Sequence, residues 1–199
     1  RATLRGEVAF EDVSFGYDEE RWTLEDVSLS VPAGTTTAII GETGSGKTTL
    51  GYLVARLYDV GSGSVSIDGV DVRELSLADL RRFVTVVPQN PYCFNGTIAD
   101  NLRLFDQSIT YEQMKEAART ACADKFIEKL PGGYDFELLP GGANLSQGQR
   151  QLLALARALL HNRDSILVLD EATSSIDTET EAYIQEGLKR VMEQRTSLV

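Results

Sequence analysis

Apolar and polar positions alternate from Val8 to Val31: Val8 and Phe10, Val13 and Phe15, then Val27, Leu29 and Val31 with Ser28 and Ser30 between them. A period of two marks strands with one buried face, which predicts an antiparallel sheet at the start of the chain. The same texture returns from Val65 to Val72, where Asp68-Gly69 predicts a hairpin turn. A second texture is the short, fully apolar run, at Ala38-Ile39-Ile40, Val84 to Val87 and Ile166 to Leu169. Such runs suit strands covered on both faces, as in a parallel sheet between helices. Leu50, Leu53, Val54 and Leu57 fall at i, i+3, i+4 and i+7, which predicts a helix with these four on a buried stripe. Further helices are predicted over Ser76–Arg82, Thr110–Leu130 and Thr178–Glu193, each opening on Ser or Thr with an acid or glutamine three residues later. Pro131-Gly132-Gly133 stops the second of these, and Ile184, Leu188 and Val191 share one face of the last. Strands interleaved with helices predict an α/β fold, with a mostly helical insert from about Thr97 to Gly142.

Composition narrows the chemistry. A chain of 199 residues can bury about 70% of its unfolded surface, so it needs no disulfide or metal framework. Thirty acidic side chains against nineteen basic ones give a net charge of -11, the opposite of the basic footprint that nucleic-acid binding requires. Cys93 and Cys122 lie far apart with no C-x-x-C spacing, which points to free thiols in a reducing compartment. The one histidine, His161, is expected at the surface and argues against histidine-based metal or triad chemistry. No stretch approaches the ~18 apolar residues of a membrane span, and the most apolar helical segment, Gln151 to Leu160, contains Arg157. The first residues do not lead into a signal peptide, and a start on Arg1 rather than Met fits a segment of a longer protein.

The strongest chemical signal is Gly41-Glu42-Thr43-Gly44-Ser45-Gly46-Lys47-Thr48, a full match to G-x-x-x-x-G-K-[ST] between a predicted strand and a predicted helix. The glycines let backbone N–H groups turn inward around phosphate oxygens, the helix start adds partial positive charge, and Lys47 reaches the outer phosphates. Thr48 offers a hydroxyl to Mg²⁺. A glycine-rich turn with a chance lysine does not account for strand, loop and helix in that order. Ile166 to Leu169 runs into Asp170 and Glu171. That places one carboxylate for the metal and a second beside the terminal phosphate, as phosphoryl transfer to water needs. In Leu145-Ser146-Gln147-Gly148-Gln149, Ser146 and Gln149 form a capping box, so a plain helix start is one reading. Gly148 in the first turn weakens the helix and leaves its N-terminus open to an anion, which is the other.

On these residues the chain resembles the nucleotide-binding domain of ATP-binding cassette (ABC) transporters over essentially all of its length. Gly41 to Thr48 resembles the Walker A motif, Ile166 to Glu171 the Walker B motif, and Leu145 to Gln149 the L-S-G-G-Q signature with Gln147 in place of the first glycine. The resemblance implies a phosphate-loop (RecA-like) parallel-sheet core, an N-terminal antiparallel β subdomain and an inserted helical signature subdomain at about residues 97–160. It further implies that one domain covers residues 1–199, with its C-terminal end, including a switch histidine, beyond Val199.

Residue by residue, the resemblance implies that ATP contacts Gly41 through Thr48 and Thr49, with Tyr17 stacked on adenine. Thr48, Gln89 and Asp170 would hold Mg²⁺. Glu171, with Gln89, is the implied catalytic group. Ser146, Gly148, Gln149 and Asp177 are implied to act on the ATP of a partner, Asp177 from a D-loop-like Ser174-Ser175-Ile176-Asp177. Phe94 to Asn101 is similar to the segment after the Q-loop in exporters, whereas Leu139-Pro140-Gly141-Gly142 stands where exporters often carry a glutamate-containing loop. The implied activity is ATP hydrolysis powering export, through a dimer of two such domains joined to membrane-spanning domains. The implied location is the cytoplasmic face of the plasma (inner) membrane, and the isolated chain is expected to bind ATP and hydrolyse it weakly. Competing classes are a non-transport ABC ATPase of DNA repair or chromosome structure, and a small-molecule kinase or GTPase. The acidic charge and the exporter-like segment weigh against the first. The absence of N-K-x-D and the presence of Leu145 to Gln149 weigh against the second.

Overall fold

The computed structural model describes residues 5–18, 20–162, 166–170, 177–193 and 195–199. In chain order the first elements are β1 (Val8–Phe15), β2 (Leu24–Val31), β3 (Thr36–Thr37), α1 (Lys47–Val54), β4 (Ser62–Ile67), β5 (Val70–Asp71), α2 (Leu77–Phe83) and β6 (Val84–Val87). Next come β7 (Gly96–Thr97), α3 (Ile98–Arg103), α4 (Tyr111–Thr120), α5 (Asp124–Ile127) and β8 (Glu137–Leu138). The last are α6 (Gln147–His161), β9 (Ile166–Leu169), α7 (Thr178–Met192) and β10 (Ser197–Leu198). The chain divides into two compact units, one of Arg1–Val86, Asp164–Asp170 and Gln194–Val199, the other of Val87–Arg163 and Glu171–Glu193.

The first unit holds both four-stranded sheets: β2-β1-β4-β5, which is antiparallel, and β3-β10-β9-β6, in which β10 pairs parallel with β3 and β9. In β1, Val8, Phe10, Val13 and Phe15 are all buried although Phe10 and Val13 are three apart. A register shift between them, with Asp12 at φ 48°, changes which parity faces the core. The expected hairpin is present: Asp68 (φ 51°) and Gly69 (φ 80°) turn β4 into β5.

Two expectations in this unit are corrected. The run Ala38-Ile39-Ile40 is not a doubly covered strand: only Thr36–Thr37 form β3, at the edge of its sheet, and Ile40 is 95% exposed. The backbone stays with β10 as far as Ile39, whose N–H donates to the Val199 carbonyl (2.7 Å), and the chain then leaves the sheet for the exposed Gly41–Ser45 loop, with Ile40 at the point of departure. Leu57 does not join the stripe of Leu50, Leu53 and Val54. The helix ends at Val54, Arg56 turns to φ 49°, the Leu57 N–H bonds back to the Tyr52 carbonyl (2.9 Å), and the Leu57 side chain is exposed.

The second unit is mostly helical, with β7 and β8 as a two-residue antiparallel pair that the apolar pattern does not predict. The expected helix over Thr110–Leu130 is broken. It starts on the Thr110–Gln113 capping box but ends at Thr120; Cys122 is left-handed (φ 59°), and α5 comes after it. The break lies where α7 comes closest, since a Cβ on Gly187 would sit 2.5 Å from the Ala121 carbonyl oxygen. Small buried residues on one side and a glycine on the other let the two backbones approach. Helix α7 buries Ile184, Leu188 and Val191 as expected, but its cap is Asp177, whose carboxylate accepts from the Thr180 N–H (2.9 Å), rather than Thr178.

Candidate functional site

The glycine-rich loop lies in the first unit. Gly41 to Ser45 are exposed, Gly46 is buried, and α1 begins at Lys47. Gly46 is the N-cap at φ 90°, and no side chain caps the helix. A Cβ there would lie 2.6 Å from Leu24 Cδ2, so the turn needs glycine for both its backbone angle and its space. The first N–H groups of a helix have no intrahelical acceptor, and at α1 the sequence supplies none.

The Lys47 ammonium folds back across the loop and donates to the carbonyls of Gly41 and Glu42, both at 2.8 Å. An ammonium has three donors, so one remains for a ligand at the loop mouth. On the next residue, Thr48 Oγ1 donates to Asp170 Oδ1 at 2.5 Å. Residues 122 apart in sequence are thus brought together because β9 ends beside the start of α1. A hydroxyl and a carboxylate oxygen are the donor types that Mg²⁺ selects, so the pair fits that ion. Burial, and then the negative charge of Asp170, raise the Tyr52 hydroxyl of α1 above its ordinary pKa. Thr49 is buried and Tyr17 is 53% exposed, with the Tyr17 hydroxyl 3.0 Å from Thr49 Oγ1. Glu171, the expected catalytic acid, lies outside the described residues, as do Ser174 to Ile176.

In the second unit, Ser146 caps α6 with a complete box: Ser146 Oγ accepts from the Gln149 N–H (3.2 Å), and Gln149 Oε1 accepts from the Ser146 N–H (2.9 Å). Gly148 is buried, and the box takes up the N–H groups of Ser146 and Gln149. Gln89 lies just after β6 and is half-buried; its carbonyl accepts from Gln151 Nε2 at 3.5 Å. Asp177 is spent on capping α7, and its carboxyl is held below the ordinary carboxylate pKa, first by the Thr180 backbone N–H.

Two groups here were visible in the sequence without a role. Arg157, the charge in the apolar part of α6, donates to the carbonyls of Asn101 (2.8 Å) and Tyr92 (2.8 Å) and to Asn101 Oδ1 (3.0 Å). Asn101 in turn bonds both backbone groups of Phe94, so the exporter-like segment is clipped to the signature helix. A lone arginine in an apolar helix was the available signal, because a buried guanidinium needs several acceptors. His161 is not loose surface either: its Nε2 lies 2.9 Å from the Leu102 carbonyl. Cys93 and Cys122 are free and buried, and burial pushes both thiols up in pKa. Among the described residues no helix is long and apolar enough to cross a membrane.

Comparison with known proteins agrees with this geometry. The sequence model of the family "ABC transporter" matches residues 24–174. The uncharacterized ABC transporter ATP-binding protein YknV of Bacillus subtilis (strain 168) is 46% identical over 196 residues, 98% of this chain and 32% of the relative. The ATP-dependent lipid A-core flippase of Desulfotalea psychrophila is 45% identical over 198 residues, all of this chain and 34% of the relative. A solved structure of a bacterial Atm1-family ABC exporter with ATP bound superposes with a TM-score of 0.90 at 37% identity, covering 100% of this chain and 35% of that one. The chain therefore spans about a third of the length of these relatives. With a phosphate loop, a carboxylate on its threonine and a capped signature helix, and with a family match across residues 24–174, the chain belongs to the ABC transporter family and has the ABC ATPase fold.

Proposed function

We propose that this chain binds MgATP at the start of α1 and hydrolyses it to power export of a substrate across a membrane. The observation that carries the proposal is Thr48 bonded to Asp170 beside a helix start with no cap of its own. Residues 41–46 wrap the phosphates, Lys47 meets the outer ones, Thr48 and Thr49 continue the contact along α1, and Tyr17 stacks on adenine. Mg²⁺, held by Thr48, Asp170 and Gln89, would neutralise charge building on the phosphate oxygens. Glu171 orients the attacking water and accepts its proton. Ser146, Gly148, Gln149 and Asp177 act on the nucleotide of a second copy or a related domain, so turnover needs a head-to-tail pair. The relatives named as a lipid A-core flippase and an Atm1-family exporter support export. The same reading takes membrane-spanning domains as partners and places the chain at the cytoplasmic face, and the net charge of -11 speaks against nucleic acid.

The test is Glu171→Gln in the full-length protein. The amide keeps the shape and loses the basic oxygen, so MgATP affinity should stay within about 3-fold while steady-state hydrolysis falls roughly 100-fold or more. Normal turnover in that variant would remove Glu171 from the reaction.

A further inference from the structure

Tyr17 does not stand alone beside the phosphate loop. Its ring lies 5.0 Å from that of Phe15 at an interplanar angle of 86°, and 5.2 Å from that of Tyr58 at 90°. Phe15 and Tyr58 also touch each other (5.6 Å, 54°), and Tyr58 reaches Tyr52 of α1 (6.5 Å, 30°). Two perpendicular neighbours, with the hydroxyl against Thr49 Oγ1, fix the tilt of the Tyr17 ring while 53% of the residue stays in solvent. Phe15 is buried in the core, whereas Tyr58 is 45% exposed and comes directly after the turn that ends α1. Tyr58 thus lies four residues beyond the helix that begins with Lys47 and Thr48, and meets that helix at Tyr52.

We propose that Tyr58 is a positioning residue for nucleotide binding: it braces Tyr17 from the turn that follows α1, so that the stretch from Lys47 to Tyr58 sets both the phosphate contacts and the height of the base platform. This rests on the reading of Tyr17 as the adenine platform. Edge-to-face pairs add attraction beyond burial, and a ring already held in its bound orientation loses less freedom when a base stacks on it. Base stacking on an aromatic ring tolerates any base, so the brace serves ATP and GTP alike and leaves the phosphate contacts untouched.

The experiment titrates the 199-residue chain with MgATP, MgGTP and magnesium tripolyphosphate, which has no base. Tyr58→Ala should weaken ATP and GTP roughly 3- to 10-fold and tripolyphosphate by less than about 2-fold. Tyr58→Phe, which keeps the ring, should restore wild-type affinity. Tyr17→Ala should weaken ATP roughly 10-fold or more, and adding Tyr58→Ala to it should cost nothing further. Equal losses for ATP and tripolyphosphate in Tyr58→Ala, or additive losses in the double variant, overturn the positioning role. A full effect in Tyr17→Ala with none in Tyr58→Ala overturns it and leaves the platform standing. An unchanged affinity in Tyr17→Ala removes the platform itself.

Discussion

Helices α1 and α6 both start from polar, glycine-containing sequence, yet their first turns are completed in opposite ways. At α6, Ser146 and Gln149 exchange side-chain and backbone hydrogen bonds, so the helix supplies acceptors for two of its first four N–H groups. At α1 the N-cap is a glycine in a left-handed turn, no side chain accepts from the first N–H groups, and the nearest cation is bent over the loop carbonyls. A missing cap costs about 1 kcal/mol of helix stability, and an anion at the helix start offsets it. An uncapped start beside a lysine and a carboxylate is therefore built for an external phosphate. A boxed start is stabilised by its own side chains, whatever it later meets.

Three measurements would break or sharpen that contrast. The largest effect belongs to Lys47→Ala, which removes a charge-assisted contact worth up to about 3 kcal/mol, or roughly 100-fold in MgATP affinity. An isothermal titration showing unchanged affinity would end the assignment of α1 as the phosphate helix. Ser146→Ala is next. It should lower stability by about 1 kcal/mol in urea unfolding with an unchanged slope, while MgATP affinity of the single chain stays the same. A loss of affinity comparable to that of Lys47→Ala would mean that the two helix starts are not distinct in role. The smallest effect concerns α7, capped by a carboxylate. Because the folded pKa of Asp177 is depressed, its contribution is fully present above the ordinary carboxylate range and fades as pH falls through the folded value. Asp177→Asn keeps an acceptor without titrating, so its stability should decline less than wild type between neutral and acid pH. Parallel declines would show that the cap does not depend on charge.

Local chemistry explains what the sequence made legible. The Asp68-Gly69 turn, the boxes at Thr110 and Ser146 and the loop into Lys47 are each decided within a few residues, so their patterns survive folding. The misses are decided at a distance. An apolar run such as Ala38 to Ile40 says nothing about where the chain will leave its sheet, and here it leaves with Ile40 bare. Ala121-Cys122-Ala123 is compatible with a continuous helix, and the break appears only where Gly187 meets Ala121. For the site, Thr48 and Asp170 could be paired in advance because both sit in recognisable motifs. Tyr58 offered no such signal, since nothing local distinguishes a tyrosine packed against another ring from one that merely follows a helix.

The pairing of β3 has a consequence for the order in which the molecule assembles. Among the described residues, the strand that delivers the chain into the phosphate loop pairs with β10 alone, through Thr36 with Ser197 and Thr37 with Leu198, and Gly34 N–H reaches Thr196 Oγ1 across 162 residues of sequence. The hairpin of β4 and β5, by contrast, closes within ten residues of chain. Contacts that close such long loops carry the largest entropic cost and form late. During synthesis, the segment before the phosphate loop stays without its ladder partner until the 162 residues from Gly34 on to Thr196 have been made. The glycine-rich loop therefore acquires its backing long after the β4–β5 hairpin has closed.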